Sequence, residues 1–284
     1  MGAFDTTGMV FDIAHSSFVD GPGLRTTVFF KGCNLRCDWC HNPESQKHAP
    51  CKMFYADKCI GCGACKSVCP SPKKCLLCGR CGDVCPTGAV SVCGKRRSVR
   101  DILSEVLRDR DFYGLDGGVT FSGGECMLQI DFLETLLKAC KERGLHTCVD
   151  TAGNVPFALF ERVSPFTDLF LYDIKAVSPE KHLAWTGADN AQLLSNFKRL
   201  YALGVKILVR VPVIPERNGD MEEMRKIAEF LAGYPEVPVE LLAYHRLGES
   251  KYAGLGLSAE GHTFTVPDKA YMDKRKRLFK NPLL

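Results

Sequence analysis

The sequence predicts an α/β fold: a partial TIM-type barrel of six strand–helix units, (β/α)6, interrupted by a small cysteine-dense insert. Three observations predict it. Strand-length apolar runs alternate with amphipathic helical stretches from Ser98 to Leu242. The glycine-rich, acidic and basic clusters that depart from this rhythm fall at C-terminal strand ends, where TIM-type barrels place their ligand-binding loops. Residues 50–94 break the pattern abruptly and hold ten of the 16 cysteines. The chain therefore divides into a first part of the barrel (1–49), the insert (50–94) and the remainder of the barrel (95–284).

In order, Phe11–Ile13 reads as a short opening strand. Leu24–Phe30 is rich in β-branched and aromatic residues and reads as the first core strand. After the insert, Ser98 caps a helix running to Arg110. Asp101 supplies a capping-box acid, and Val99, Ile102, Leu103, Val106 and Leu107 share one face. Strands follow at 118–122, 147–150, 169–174, 205–213 and 238–242. Helices alternate with them at 130–142, from Pro156, around Leu193–Leu200 and at 221–231. Strands joined through helices are parallel, and right-handed crossovers curl them into an open barrel.

The loop after the first core strand carries Cys33, Cys37 and Cys40 in the pattern C-x3-C-x2-C, bounded by Gly32 and Asn42-Pro43. Iron–sulfur cubes are held by cysteine thiolates, normally four. Three on one loop bind three irons and leave the fourth open to an exogenous ligand. A zinc knuckle is the competing reading, but no fourth Cys or His fits a closed tetrahedral site, and His41 is too near Cys40 to complete one.

In the insert, Cys59-x2-Cys62-x2-Cys65-x3-Cys69-Pro is followed by Cys75-x2-Cys78-x2-Cys81-x3-Cys85-Pro, the doubled signature of bacterial ferredoxins. In that motif the fourth cysteine of each run serves the other cluster. Cys59, Cys62, Cys65 and Cys85 would then hold one cube, and Cys75, Cys78, Cys81 and Cys69 the second. Only residues 70–74 separate the runs, too few for the usual intervening strands, which leaves the crossed pattern open. Cys51, Cys93, Cys140 and Cys148 are expected to pack as small hydrophobes, as is Cys126.

The formal charge is +4. Three cubes in the 2+ state on eleven thiolates would bring it to about −1, which gives no electrostatic case for nucleic acid. Met1–Val10 has no basic stretch leading into an apolar run, and no segment approaches a membrane span. With cysteines at metal spacings, the expectation is a reducing, anaerobic cytoplasm.

The cysteine loop with its flanks resembles the radical S-adenosylmethionine (SAM) superfamily. Asp20-Gly-Pro-Gly-Leu-Arg25, Val28-Phe-Phe-Lys-Gly-Cys33 and Trp39-Cys40-His41-Asn42-Pro43-Glu44 narrow the resemblance to activating enzymes of glycyl radical enzymes. It implies a radical SAM barrel with a 2[4Fe-4S] ferredoxin-like insert, three [4Fe-4S] clusters, and SAM chelating the open iron. It also implies contacts to SAM from the Trp39–Cys40–His41 stretch.

The strand ends are then read in turn. Ser122-Gly-Gly-Glu125 ends the second strand; Gly-Gly is commonly a turn, but the resemblance makes Gly124 and Glu125 the SAM amino-group motif. Asp150-Thr151 ends the third. An acid and a hydroxyl there serve equally as a helix cap, or, by resemblance, as part of a monovalent cation site. Asp173-Ile174-Lys175 ends the fourth. Alternation points Asp173 and Lys175 the same way, as an ion pair or, by resemblance, as SAM contacts, with Ile174 between them. Arg210 on the fifth suits a carboxylate. His245 after the sixth matches the residue that packs on SAM. The basic run Lys274–Arg277 reads as a solvated face, and a barrel ending at Leu284 leaves its lateral closure open.

The resemblance implies reductive SAM cleavage to a 5′-deoxyadenosyl radical that takes hydrogen from a glycine of a partner glycyl radical enzyme. Flavodoxin or ferredoxin would be the donor. The rivals are a radical SAM enzyme acting on a small molecule and an iron–sulfur electron-transfer protein. Nothing in the sequence selects the partner.

Overall fold

The computed structural model describes residues 3–284. Ten strands form among the described residues: β1 (Thr7–Ser17), β2 (Arg25–Phe30), β3 (Cys51–Phe54), β4 (Val90–Cys93), β5 (Lys95–Ser98), β6 (Gly118–Gly123), β7 (His146–Thr151), β8 (Leu169–Asp173), β9 (Ile207–Val213) and β10 (Val239–Ala243). Eight of them make one sheet in the order β10-β9-β8-β7-β6-β2-β1-β5. From β2 to β10 all pairings are parallel, giving the expected six-stranded unit. The opening strand is longer than Phe11–Ile13: β1 runs antiparallel to both β2 and β5, adding two strands at that edge.

The helices are α1 (Ala64–Ser67), α2 (Arg80–Asp83), α3 (Val99–Arg108), α4 (Ile130–Lys141), α5 (Phe157–Val163), α6 (Pro179–Thr186), α7 (Ala191–Ala202), α8 (Met221–Ala232), α9 (Glu249–Gly254) and α10 (Lys269–Lys276). Ser98 and Asp101 close the expected reciprocal capping box on α3. The apolar stripe of α4, Phe132, Leu133, Leu136, Leu137 and Cys140, is buried, as its 3-4 spacing requires.

Strand alternation separates two sides of the sheet. Val149, Phe170, Tyr172, Val209 and Val211 join the large core beneath the helices, whereas Cys148, Leu171 and Leu208 form a small cluster on the opposite, inner side. Arg25, fully buried, closes the inner side near the N-terminal strand ends by donating to Thr120 Oγ1 and the Val119 carbonyl, each at 2.7 Å. By the same alternation Asp150, Asp173 and Arg210 belong to the inner side, one layer further toward the C-terminal ends.

The outer edge of β10 is not bare. Val239 donates to the Pro282 carbonyl at 2.8 Å and accepts from the Leu284 amide at 3.1 Å, so the last residues run alongside it. Asn281 holds this segment, donating to the carbonyls of Leu231 in the last turn of α8 and of Tyr234 and Val237 beyond it. The basic run is only partly a solvated face. Arg275 is buried, with its guanidinium 3.1 Å from the Tyr271 ring centroid and its Nε donating to the Gly219 carbonyl.

Residues 50–94 form the antiparallel pair β3–β4 and, between its strands, the short helices α1 and α2 packed on each other. Each helix starts after a glycine in the left-handed region, Gly63 at φ 76° and Gly79 at φ 82°. Each carries the third cysteine of its run, Cys65 or Cys81. Residues 70–74 contain no strand, as their number requires.

Candidate active site

A cavity of about 420 Å³ opens at the C-terminal ends of the six parallel strands. Cys33 follows β2. Ser122–Gly124 end β6, Asp150–Ala152 end β7, Asp173 and Lys175 end β8, Arg210, Pro212 and Ile214 end β9, and Leu242–His245 end β10; all line this one space. Cys37, Trp39, Cys40 and His41 complete its wall from the cysteine loop. Val19 and Asp20, in the turn between β1 and β2, also line it. Asp20 opens the motif Asp20–Arg25 that carried part of the resemblance, but nothing in the sequence assigned either residue to the site.

The loop is held from outside the barrel. Arg36 and Asp38 amides donate to the Thr186 and Trp185 carbonyls at the end of α6, at 2.7 and 3.0 Å. Trp39 packs edge-on against Trp185, with centroids 6.4 Å apart. On the other side, α9 supplies Tyr252, whose hydroxyl donates to the Cys40 carbonyl at 3.0 Å. Lys251 of the same helix bonds Asn42 Oδ1 at 2.6 Å and Glu44 Oε1 at 2.7 Å. These anchors lie about 150 to 210 residues from the loop, beyond the reach of any local pattern.

Burial pushes the Cys33 thiol up to about 11 and Cys37 up to about 12, and raises Cys40. Without a cation they are thiols, so metal binding must displace their protons. Three soft sulfur donors facing one cavity fit an iron–sulfur group better than a hard cation. Among the described residues no three His, Cys, Asp or Glu side chains converge closely enough to hold a single ion.

At β8, Lys175 Nζ lies 2.5 Å from Asp173 Oδ2. Burial opposes the ammonium, but the charge of Asp173 and its hydrogen bond outweigh it and hold Lys175 above its usual range. Asp150 accepts from Ser122 Oγ at 2.6 Å. Its carboxyl is raised to about 6 by burial and by Asp173, against the pull of Arg210. Arg210 is itself bound by Glu240 at 2.9 Å and donates to the Val19 carbonyl, tying β9 to β10 and to the β1–β2 turn.

Two of the candidate residues face away from the cavity. Glu125 is fully buried and accepts from the Thr151 hydroxyl at 2.9 Å, the Ala152 amide at 3.0 Å and the Met127 amide at 3.2 Å. Burial raises its carboxyl to about 7 despite these donors. The hydroxyl of Thr151 is thus committed to Glu125. Ile174 is fully buried in the core, and its amide pairs with the Arg210 carbonyl.

At the mouth, His41 and His245 stack with centroids 4.0 Å apart and planes 14° from parallel; His41 Nε2 lies 2.9 Å from the His245 carbonyl oxygen. Burial, with His245 second, lowers His41 to about 4, so its imidazole is neutral. Cys126, Cys140 and Cys148 are buried as expected. Cys51 and Cys93 depart from the small-hydrophobe expectation: both are half-buried and directly opposed across β3–β4, with the buried Lys31 beside Cys51. No helix among the described residues is long and apolar enough to cross a membrane.

The family model of the radical SAM superfamily matches residues 27–231. The chain is 42% identical to the trans-4-hydroxy-L-proline dehydratase activating enzyme of Clostridioides difficile, over 95% of each chain. It is 42% identical to the isethionate sulfite-lyase activating enzyme of Desulfovibrio desulfuricans, over 88% of this chain and 86% of that one. Identity to the choline trimethylamine-lyase activating enzyme of Oleidesulfovibrio alaskensis is 36%, over 87% of each. A domain of the pyruvate-formate lyase-activating enzyme from Bacteroides vulgatus superposes with a TM-score of 0.50 at 26% identity, covering 59% of this chain and 98% of that domain. A radical SAM methyltransferase from Sphaerobacter thermophilus, 13% identical, shares the fold with a TM-score of 0.55 over 92% of this chain and 65% of its own. With its three loop thiols and six strand ends gathered on one cavity, the chain belongs to the radical SAM superfamily, among the activating enzymes of glycyl radical enzymes.

Proposed function

We propose that this protein activates a glycyl radical enzyme by generating a radical on one of that partner's glycines. The carrying observation is the single cavity shared by Cys33, Cys37, Cys40 and the ends of all six parallel strands. In this reading Cys33, Cys37 and Cys40 hold a [4Fe-4S] cluster with one iron left for SAM. When bound and reduced, that pair supplies a carbon-centred 5′-deoxyadenosyl radical able to take hydrogen from a glycine Cα.

The chain's own residues bind, orient and exclude water. The glycine backbone at 123–124 offers polar groups to the methionine end of SAM. Asp173 and Lys175 present opposite charges to its amino and carboxylate groups. Trp39 and the stacked His41–His245 pair offer aromatic surface at the mouth. Asp150, raised by burial and by Asp173, is the acid that a monovalent cation bound nearby would stabilise as carboxylate. No side chain need shuttle a proton, since hydrogen transfer to a carbon radical moves proton and electron together.

The eight cysteines between Cys59 and Cys85 would hold two further cubes, in keeping with the matched helices α1 and α2. A flavodoxin or ferredoxin would supply the electron, in a reducing cytoplasm. The activation reading is tested by mixing the reduced protein, SAM and a glycyl radical enzyme from the same host under anaerobic conditions. 5′-Deoxyadenosine should form in proportion to a new protein radical. SAM cleavage that leaves every candidate partner diamagnetic would contradict it.

A further inference from the structure

The junction between barrel and insert contains a second sulfur site outside the cluster motifs. Lys31, fully buried at the end of β2, directs its ammonium to the Glu44 carbonyl and to Cys51 Sγ, the latter at 3.5 Å. Cys51 is the first residue of β3 and Cys93 the last of β4, and they are direct partners across this antiparallel pair. Directly opposed antiparallel residues have Cα atoms about 4.5 or 5.5 Å apart, and both spacings lie within the span of a disulfide. Cys51 Sγ also lies 3.8 Å from the Glu44 carbonyl oxygen. Both residues are half-buried, and a cavity of about 510 Å³ lined by Cys93, Glu44, Met53 and Tyr55 opens on the Cys93 side. Neither belongs to a C-x2-C run.

We propose that Cys51 and Cys93 form a reversible dithiol–disulfide pair, a modification site for low-molecular-weight disulfides. The two thiols are not equivalent. The ammonium of Lys31, 3.5 Å from Cys51 Sγ, favours thiolate at Cys51 and makes it the attacking sulfur. Cys51 attacks one sulfur of the small disulfide, breaking its S–S bond and releasing one small thiol, which leaves with a proton. A mixed disulfide remains on Cys51. Cys93 then loses its proton and attacks the Cys51 sulfur, releasing the second small thiol. Two electrons pass from the chain to the small disulfide; the first released thiolate takes its proton from solvent, which had received the Cys51 proton, and the second takes the proton lost by Cys93. The product ties the two ends of the insert together at its attachment to the barrel, and it uses no cluster cysteine. The proposal rests on this junction's geometry, whatever glycine or substrate the barrel serves.

The test uses the anaerobically reconstituted protein treated with glutathione disulfide, with iron followed by visible absorbance. Alkylation under denaturing conditions, digestion and mass spectrometry then locate the oxidised thiols. The expected result is loss of two thiols per chain with iron retained, and one linked peptide pair containing Cys51 and Cys93 that dithiothreitol separates. Cys93→Ser should stop at one glutathione on Cys51. Cys51→Ser should slow thiol loss at this site at least about tenfold. Three results overturn the proposal. One is no thiol lost, another is oxidation confined to the cysteines between Cys59 and Cys85, and the third is Cys93 in Cys51→Ser reacting at the wild-type rate.

Discussion

Gly124 packs so closely on Gly32 that a Cβ there would lie 2.3 Å from the Gly32 carbonyl oxygen and 3.0 Å from Cys33 Cβ. The end of β6 and the start of the cysteine loop are therefore one packed unit, sealed by the Glu125 amide donating to the same carbonyl at 2.8 Å. Read from sequence, Gly124 is a backbone surface for an amino-acid moiety, and Gly124→Val costs SAM affinity alone. The packing predicts more. Overpacking of this kind costs about 1–3 kcal/mol, and here the strain falls on Cys33. Iron retained by the loop cluster and SAM affinity should drop together, measured by iron assay and equilibrium dialysis. Normal iron with lost SAM binding would restore the simpler reading.

Asp173 and Lys175 give a second prediction. Asp173→Asn leaves the buried Lys175 ammonium without its partly exposed counter-charge, a loss on the order of 2 kcal/mol, below that of a fully buried pair. Denaturant midpoints should show that loss, and the double variant Asp173→Asn/Lys175→Met should recover much of it. Both variants should fail to form 5′-deoxyadenosine. A double variant no more stable than the single one would show that the pair is not what holds β8's end.

Glu125 predicts a pH dependence. Its folded carboxyl is raised from 4.5 to about 7, so the folded protein holds this proton more tightly than the unfolded chain. Its contribution is full below about pH 4.5 and is lost as pH rises through about 7, on the order of 3 kcal/mol in all. Glu125→Gln, which cannot ionise, should flatten the fall in unfolding free energy between about pH 5 and about pH 8. An unchanged slope would mean that Glu125 does not titrate in this window.

Much of this arrangement was legible before any coordinates. β-Branched runs and 3-4 spacing marked the six parallel strands and α3, α4, α7 and α8, because those residues bury one face each. The barrel rule then put Gly124, Asp150, Asp173, Arg210 and His245 at one rim. What escaped was long-range or polar. The edge strand β5 is Lys-Arg-Arg-Ser, too charged to read as a strand, and it exists because β1 pairs with it. Helix α6 buries little along its own length beyond His182 and Thr186, yet its carbonyls anchor the cysteine loop. Pro282–Leu284 covering β10, and Cys51 facing Cys93, are pairings between distant segments that no local periodicity encodes.

Iron content tests the cluster assignment. Three cubes correspond to about 12 irons per chain after anaerobic reconstitution. Cys37→Ala should lose about a third of them and all SAM cleavage. Losing Cys62 and Cys78 together should leave one cube and measurable SAM binding. About four irons in the intact protein would remove the two insert clusters from the account.

Glycyl radical formation in the partner is the central claim, and isotopic electron paramagnetic resonance tests it most directly. The reduced protein with SAM should give its partner enzyme a persistent doublet, split by the one hydrogen left on the glycine Cα. The doublet should collapse to a singlet when the partner is made with α-deuterated glycine, and that deuterium should appear in 5′-deoxyadenosine. If deuterium reaches 5′-deoxyadenosine only from a labelled free metabolite, and never from labelled partner glycine, the barrel acts on a small molecule and the activating role is wrong.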